Sequence, residues 1–196
     1  MSKVYYTLFE HRFLKAGLLA DVKNLLLIDI TCEREEFIEA ARKNYGSVSE
    51  DRGPFTALAE QLTEYLDGMR RGFSIEVPFV GTPFARAVLE SMTRIPYGEV
   101  WSYADVAKAA GNPRAVRAAG SAVGRNPYPI LIPCHRVVRS GGEIGQFGGG
   151  VELKRRLLAL EGVQIVNDRI APRCSNGAPG RGSRSQVHNE QRRPLA

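Results

Sequence analysis

The chain has 196 residues, a formal charge of +6, 43% hydrophobic and 24% charged residues, which suits a globular protein of one large domain or two small ones. It contains no apolar run of membrane-spanning length and no signal-type apolar core, so no membrane association is expected and a cytosolic location is. Three scattered cysteines, Cys32, Cys134 and Cys174, argue against a disulfide framework and against paired-cysteine zinc sites, and no metal is expected.

The charge is unevenly placed. Residues 1–82 carry 10 basic and 13 acidic side chains, residues 83–166 carry 11 and 6, and residues 167–196 carry 6 and 2. A basic second half suits a polyanionic partner, although a charge surplus is commonly only a solvated surface.

Residues 4–9 (VYYTLF) and 24–30 (NLLLIDI) are rich in β-branched, aromatic and aliphatic side chains and predict strands. Residues 17–20 (GLLA) allow a short third. Residues 33–44 predict a helix ending near Gly46. Pro54 suits the first turn of a helix over 54–69, where Phe55, Leu58, Ala59, Leu62, Leu66 and Met69 follow helical spacing. These faces read as structural, with no site chemistry. Residues 70–82 predict an extended linker. A helix over 83–94 is opened by Pro83 and closed by Pro96 and Gly98.

In 99–123, Ser102 predicts the N-cap of a helix over 104–110, stopped by Gly111. Asn112 is the expected cap of a second helix, with Pro113 at its first position. Helix, tight glycine turn, helix is the helix-turn-helix pattern, but an ordinary helical hairpin is the more common arrangement and the pattern alone slightly favours it. Ala115, Ala118, Ala119, Gly120 and Ala122 make the second helix slim, with Arg114 and Arg117 projecting. A slim face approaches a groove or packs on another helix; the arginines tilt the choice to the groove. Residues 167–196, rich in Gly, Pro, Ser and Arg, predict a disordered basic tail.

The informative segment is 126–139, NPYPILIPCHRVVR. Its prolines should hold Ile130–Ile132 stiff and extended. Cys134 follows. A cysteine nucleophile reacts as its thiolate, so the site must supply a base or a positive environment. His135 is the obvious base, but in an extended segment it points away from Cys134, so contact requires a local turn or a bridging water. Glu161, after a helix over 151–160, is the candidate carboxylate to orient the imidazole. The plain alternative is an inert core cysteine beside a hydrogen-bonded core histidine.

PCHRVV at 133–138 is preceded by NPYPILI and followed by GGEIGQFGGG. Together with IPYGEVWSYADVAKAAGNPRAVRAAG and the closing K-x-x-L-L-x-x-E-G from Lys154 to Gly162, it closely resembles the O6-alkylguanine-DNA alkyltransferases, or methylated-DNA–protein-cysteine methyltransferases, from about Phe79 to Gly162. The resemblance implies single-turnover transfer of an alkyl group from O6-alkylguanine, with O4-alkylthymine as a further candidate, to Cys134. His135 would act as base through a water and Glu161 would hold it. Tyr103 would assist rotation of the nucleotide, contact its base and protonate the leaving oxygen. Arg117 would fill the gap in the base stack, and Asn126 would brace the region between recognition helix and active-site segment. Ala115, Ala118 and Gly120 would face DNA, and Pro129, Val137, Phe147 and Gly148 would line the base pocket. At the last two positions animal members often carry Tyr and Ser, which points to a pocket of different shape. No cofactor is implied, because damaged DNA is itself the donor.

The fold expected is an α/β domain over 1–78 including the linker, with a small antiparallel sheet and helices, ribonuclease-H-like. A mainly helical, winged-helix-like domain with the helix-turn-helix follows over 79–166, then the tail over 167–196. The partner implied is double-stranded DNA containing O6-alkylguanine, entered from the minor groove by a monomer, with cooperation along DNA left open and a nucleoid-associated location in the cytoplasm. Three rival readings stand beside this one: a non-catalytic lesion sensor that recruits other repair factors, a plain helix-turn-helix module, and a cysteine hydrolase.

Overall fold

The computed structural model describes residues 3–31 and 33–171. Strand β1 (Val4–Glu10) pairs antiparallel with β2 (Lys15–Asp21), which pairs antiparallel with β3 (Leu25–Asp29). Helix α1 (Arg34–Tyr45) then crosses to the far edge, where β4 (Val48–Glu50) lies parallel to β1, in the order β3-β2-β1-β4. The sheet is therefore mixed and not antiparallel throughout. A helical crossover returns the chain in its original direction, whereas a hairpin would reverse it. Gly17 lets α1 lie close: a Cβ there would sit 2.6 Å from the Phe37 ring. Strand β2 is also longer than the stretch at 17–20 suggested.

Pro54 sits in a 3-10 turn (Gly53–Phe55), and α2 proper spans Thr56–Leu66. Met69, expected on its apolar stripe, lies past the helix and is 72% exposed. Residues 70–82 hold no regular element, yet they are tied down. Gln61 donates to Ser74 Oγ and accepts from the Ser74 amide, both at 2.9 Å. Phe73, Ile75 and Val77 pack on the core.

Thr82 caps α3 (Pro83–Thr93) by accepting from the Ala85 amide. Ser102 and Asp105 form a capping box on α4 (Tyr103–Ala109). Helix α5 spans Val116–Gly124, three residues later than Pro113 suggested. Asn112 instead closes a turn: its side chain accepts from the Arg114 amide and its carbonyl from the Ala115 amide. Two-residue strands β5 (Trp101–Ser102) and β6 (Val137–Val138) pair in parallel. Helix α6 (Gly150–Leu160) is followed by a hairpin of β7 (Ile165–Val166) and β8 (Arg169–Ile170). Ile165 and Ile170 pack on Ile144, Leu158 and Val163. The tail reading therefore fails for residues 167–171; residues 172–196, with Cys174, lie outside the described residues, as does Cys32.

One apolar cluster runs from Phe9 and Leu18 of the sheet through Leu62 and Leu66 of α2, Val88 and Met92 of α3, Val106 of α4 and Ala119 of α5 to Leu157 of α6. Arg156 of α6 reaches back to the first hairpin. Its guanidinium lies 4.4 Å from the Phe13 ring centroid and donates to the Phe13 carbonyl at 3.1 Å. No helix among the described residues is long and apolar enough to cross a membrane.

Candidate active site

The segment before Cys134 is folded back and not extended. The Ile132 amide donates to the Tyr128 carbonyl at 2.9 Å, and the Cys134 amide to the Ile132 carbonyl at 2.8 Å. Ile130 takes a left-handed conformation with φ of 77°, uncommon for a β-branched residue and supported here by complete burial. Asn126 holds the turn. Its amide donates to the Ile132 carbonyl at 2.8 Å and to Cys134 Sγ at 3.1 Å, and its side-chain oxygen accepts from the Tyr128 amide at 3.1 Å. Cys134, His135 and Arg136 then form one 3-10 turn, so the backbone is turned and not extended at these residues.

Behind Cys134 the side chains are buried and charged. Glu161 Oε1 accepts from Tyr65 Oη at 2.5 Å, His135 Nε2 at 2.9 Å and Arg136 Nη2 at 2.9 Å. Glu161 Oε2 accepts from Arg136 Nε at 2.9 Å and the Gly98 amide at 3.0 Å. Arg136 also donates to the Ile95 carbonyl at 2.7 Å and lies against the Tyr97 ring. Burial works to raise the Glu161 pKa, but His135 and Arg136 outweigh it and hold the carboxyl at about 2. Burial lowers the His135 pKa, against the pull of Glu161, so the imidazole is neutral. The Tyr65 proton is committed to Glu161, so both oxygens around Nε2 present lone pairs to it and Nε2 must carry the ring proton. Nδ1 is then the bare acceptor. It is buried and has no hydrogen-bond partner among the described residues.

Cys134 is 9% exposed, and burial pushes its thiol pKa up against the Asn126 donor and the nearby Lys154 ammonium. The resting sulfur is therefore protonated, and its proton must leave during any reaction. Lys154, fully buried on α6, donates to the Val137 carbonyl at 2.5 Å; burial lowers its pKa to about 8.

Cys134 opens on a cavity of about 370 Å³ lined also by Tyr103, Gly120, Asn126, Pro129, Phe147 and Gly148. Of the four expected pocket residues, Val137 is not in this lining: it is buried in β6, paired with Trp101. Arg117 projects from α5 and is exposed. Ala115 and Ala118 do not line the cavity; Ala118 borders a separate groove against Thr82 and Ala85.

Three contributions escaped the sequence reading. Arg136 sits in the same short string as Cys134, and its signal was an arginine among apolar residues, which needs a carboxylate when buried. Tyr65 occupies the buried stripe of α2, where a phenol must find a partner. The edge of β3 and the turn after it, Leu27 to Thr31, form a wall of the cavity; no local signal marks it.

The fold and site define a helix-turn-helix unit with a buried cysteine at the mouth of a cavity and a buried histidine–carboxylate pair behind it. Residues 83–163 match the family described as 6-O-methylguanine DNA methyltransferase, DNA binding domain. The inducible methylated-DNA–protein-cysteine methyltransferase of Bacillus subtilis is 43% identical over 129 residues, 65% of this chain and 72% of that protein. The Methanosarcina acetivorans protein of the same name is 34% identical over 159 residues, 81% of this chain and 99% of that one. Among solved structures, the Mycobacterium tuberculosis O6-methylguanine methyltransferase is similar with a TM-score of 0.69 at 33% identity, covering 81% of this chain and 92% of its own. The M. tuberculosis protein OGT in complex with DNA gives 0.70 at 32% identity, covering 80% and 92%. The chain belongs to the methylated-DNA–protein-cysteine methyltransferase family.

Proposed function

We infer that this protein reverses DNA alkylation by moving the alkyl group from O6 of guanine onto Cys134, once per molecule. The observation that carries this reading is the Cys134 sulfur opening on a base-sized cavity, with the neutral His135 held by Glu161 behind it. The alkylated base is turned out of the duplex into the cavity, at a cost of a few kcal/mol that is smallest for a damaged, weakly paired base. Arg117, exposed on α5, fills the space left in the stack and offsets part of that cost. Ala118 and Gly120 on α5, with Ala115 at its N-cap, leave the helix slim enough to enter the minor groove.

His135 Nδ1, the bare acceptor, takes the thiol proton through one water as the sulfur attacks. The S–C bond forms as the C–O6 bond breaks. Tyr103, on the cavity wall with its phenol pKa raised by burial, protonates O6 and is reprotonated in turn, so the proton lost by sulfur ends on guanine. Asn126 keeps the sulfur facing the base. The thioether product has no route back to thiol, which limits the protein to one reaction. O4-alkylthymine presents the same C–O bond to the same sulfur and is a second substrate.

In this reading the chain is a monomer acting at the nucleoid. Residues 1–78 are a ribonuclease-H-like unit with its linker, supported by the helix-crossed sheet. Residues 79–166 are a winged-helix-like unit, supported by α3, α4 and α5 beside the β5–β6 pair.

The test is intact-protein mass after mixing with a duplex carrying one O6-methylguanine. A gain of one methyl per molecule, absent in Cys134→Ser and with undamaged duplex, is the expected result. Tight binding to the damaged duplex without mass gain would instead make the protein a lesion sensor.

A further inference from the structure

Glu161 Oε1 has three side chains on it, and the shortest contact is from the residue farthest away in sequence. Tyr65 is fully buried on α2, and its hydroxyl lies 2.5 Å from Oε1 and 3.3 Å from His135 Nε2. The ring is fixed by Phe73, at 5.3 Å between centroids, and by Tyr97, at 6.2 Å and edge-on. We propose that Tyr65 is a positioning residue for alkyl transfer: its hydroxyl, locked on Glu161, sets how strongly that carboxylate holds the His135 ring proton. The proposal rests on the reading of His135 as the base.

Each donor to a carboxylate takes up part of its charge, and charge-assisted bonds of this kind are the strong ones. The groups around His135 are Lys154 from α6 and Glu161 just after it, Arg136 and Cys134 from its own turn, and Tyr65 from α2, with the Phe147 ring edge-on at 6.4 Å and Tyr97, from the loop after α3, against the Tyr65 ring. Arg136 is the other large donor to Glu161 and has no slack, because its remaining Nη1 is bound to the Ile95 carbonyl at 2.7 Å. Without the phenol, Glu161 pulls harder on Nε2–H and the imidazolium becomes easier to form. An imidazolium has no lone pair on Nδ1 and cannot accept the thiol proton.

The experiment is Tyr65→Phe in the full chain, read two ways. Single-turnover transfer is followed against pH with a duplex containing O6-methylguanine. The His135 ring is titrated by nitrogen NMR without DNA. The expected result is an acid limb moved up by about one pH unit, within the worth of one hydrogen bond to a charged group. The rate then falls about tenfold on the acid side and little on the alkaline side, and the NMR titration moves with it. Fluorotyrosine at position 65, a stronger donor of nearly the same shape, should move the limb the other way in a fold left intact. A uniform loss of rate at every pH, or identical His135 titrations in all three proteins, would overturn the proposal. If no protein transfers methyl yet the titration moves as expected, the role of Tyr65 stands and the proposed activity does not.

Discussion

Glu161 carries its charge where burial alone would neutralise it, because His135 and Arg136 outweigh the burial, and Arg136 supplies the balancing positive charge. Neither is tolerable without the other. Glu161→Gln should cost about 3–5 kcal/mol, the usual result of leaving one buried charge unpaired, measurable by urea denaturation. The same residues set the acid stability. The Glu161 pKa is about 2 in the folded chain against an ordinary 4.5, so its contribution is complete above 4.5 and lost as pH falls towards 2. His135 adds to this. Its folded pKa lies below 6.5, so the unfolded chain binds the proton first and stability falls as pH drops through 6.5. A thermal melt series should show this two-stage decline.

Asn126 is the other residue with more than one duty. Asn126→Ala removes the donor to sulfur and leaves the Ile132 carbonyl and Tyr128 amide without their side-chain partners. The expected outcome is a loss of about 1–3 kcal/mol, together with slower transfer, because the thiol becomes harder to ionise. Chemical denaturation and single-turnover kinetics measure the two effects separately.

At the scale of elements, Gly98 joins the loop after α3 to the end of α6. Its φ is +77°, and a Cβ there would lie 2.8 Å from the Glu161 carbonyl oxygen. Gly98→Ala should therefore destabilise by about 1–3 kcal/mol and displace the amide that Glu161 Oε2 accepts from; melting temperature and transfer rate should fall together. Helix α5 gives the contrasting case. Arg117→Ala removes an exposed side chain and should leave stability within about 0.5 kcal/mol, while slowing transfer from duplex and sparing transfer from the free alkylated base.

The same elements show what local sequence encodes. β1, β3, α1 and α3 were legible because strand-forming composition and the prolines and glycines that open or close a helix are properties of neighbours. The start of α5 was not. Asn112 makes the same kind of side-chain bond to a nearby amide whether it caps a helix or closes a turn. β4 was missed because a three-residue edge strand has no periodicity to read. Within the site, the consecutive Cys134 and His135 and the carboxylate ending α6 were legible from residue chemistry. Tyr65 was not: its bond to Glu161 spans 96 residues, and only the assembled core brings α2 against the Cys134 turn.

For the molecule as a whole, that shared core predicts one unfolding transition. Trp101, the single tryptophan, reports on the second half of the chain and far-ultraviolet circular dichroism on both. The two should give superimposable urea curves, and separated midpoints would show the halves unfolding apart. Binding to undamaged duplex should weaken steeply with added salt, since the positive charge of residues 83–166 meets phosphate and not base edges.

The layout of the site also orders events during synthesis. Ribosomes release Tyr65 first, then Gly98, then the Cys134 turn, and Glu161 last. Until α6 has emerged and docked, His135 has no carboxylate, Arg136 has no counter-ion and Lys154 has not arrived beside the sulfur. A nascent or truncated chain thus carries an idle thiol, and a protein that works only once becomes competent only when α6 closes the site.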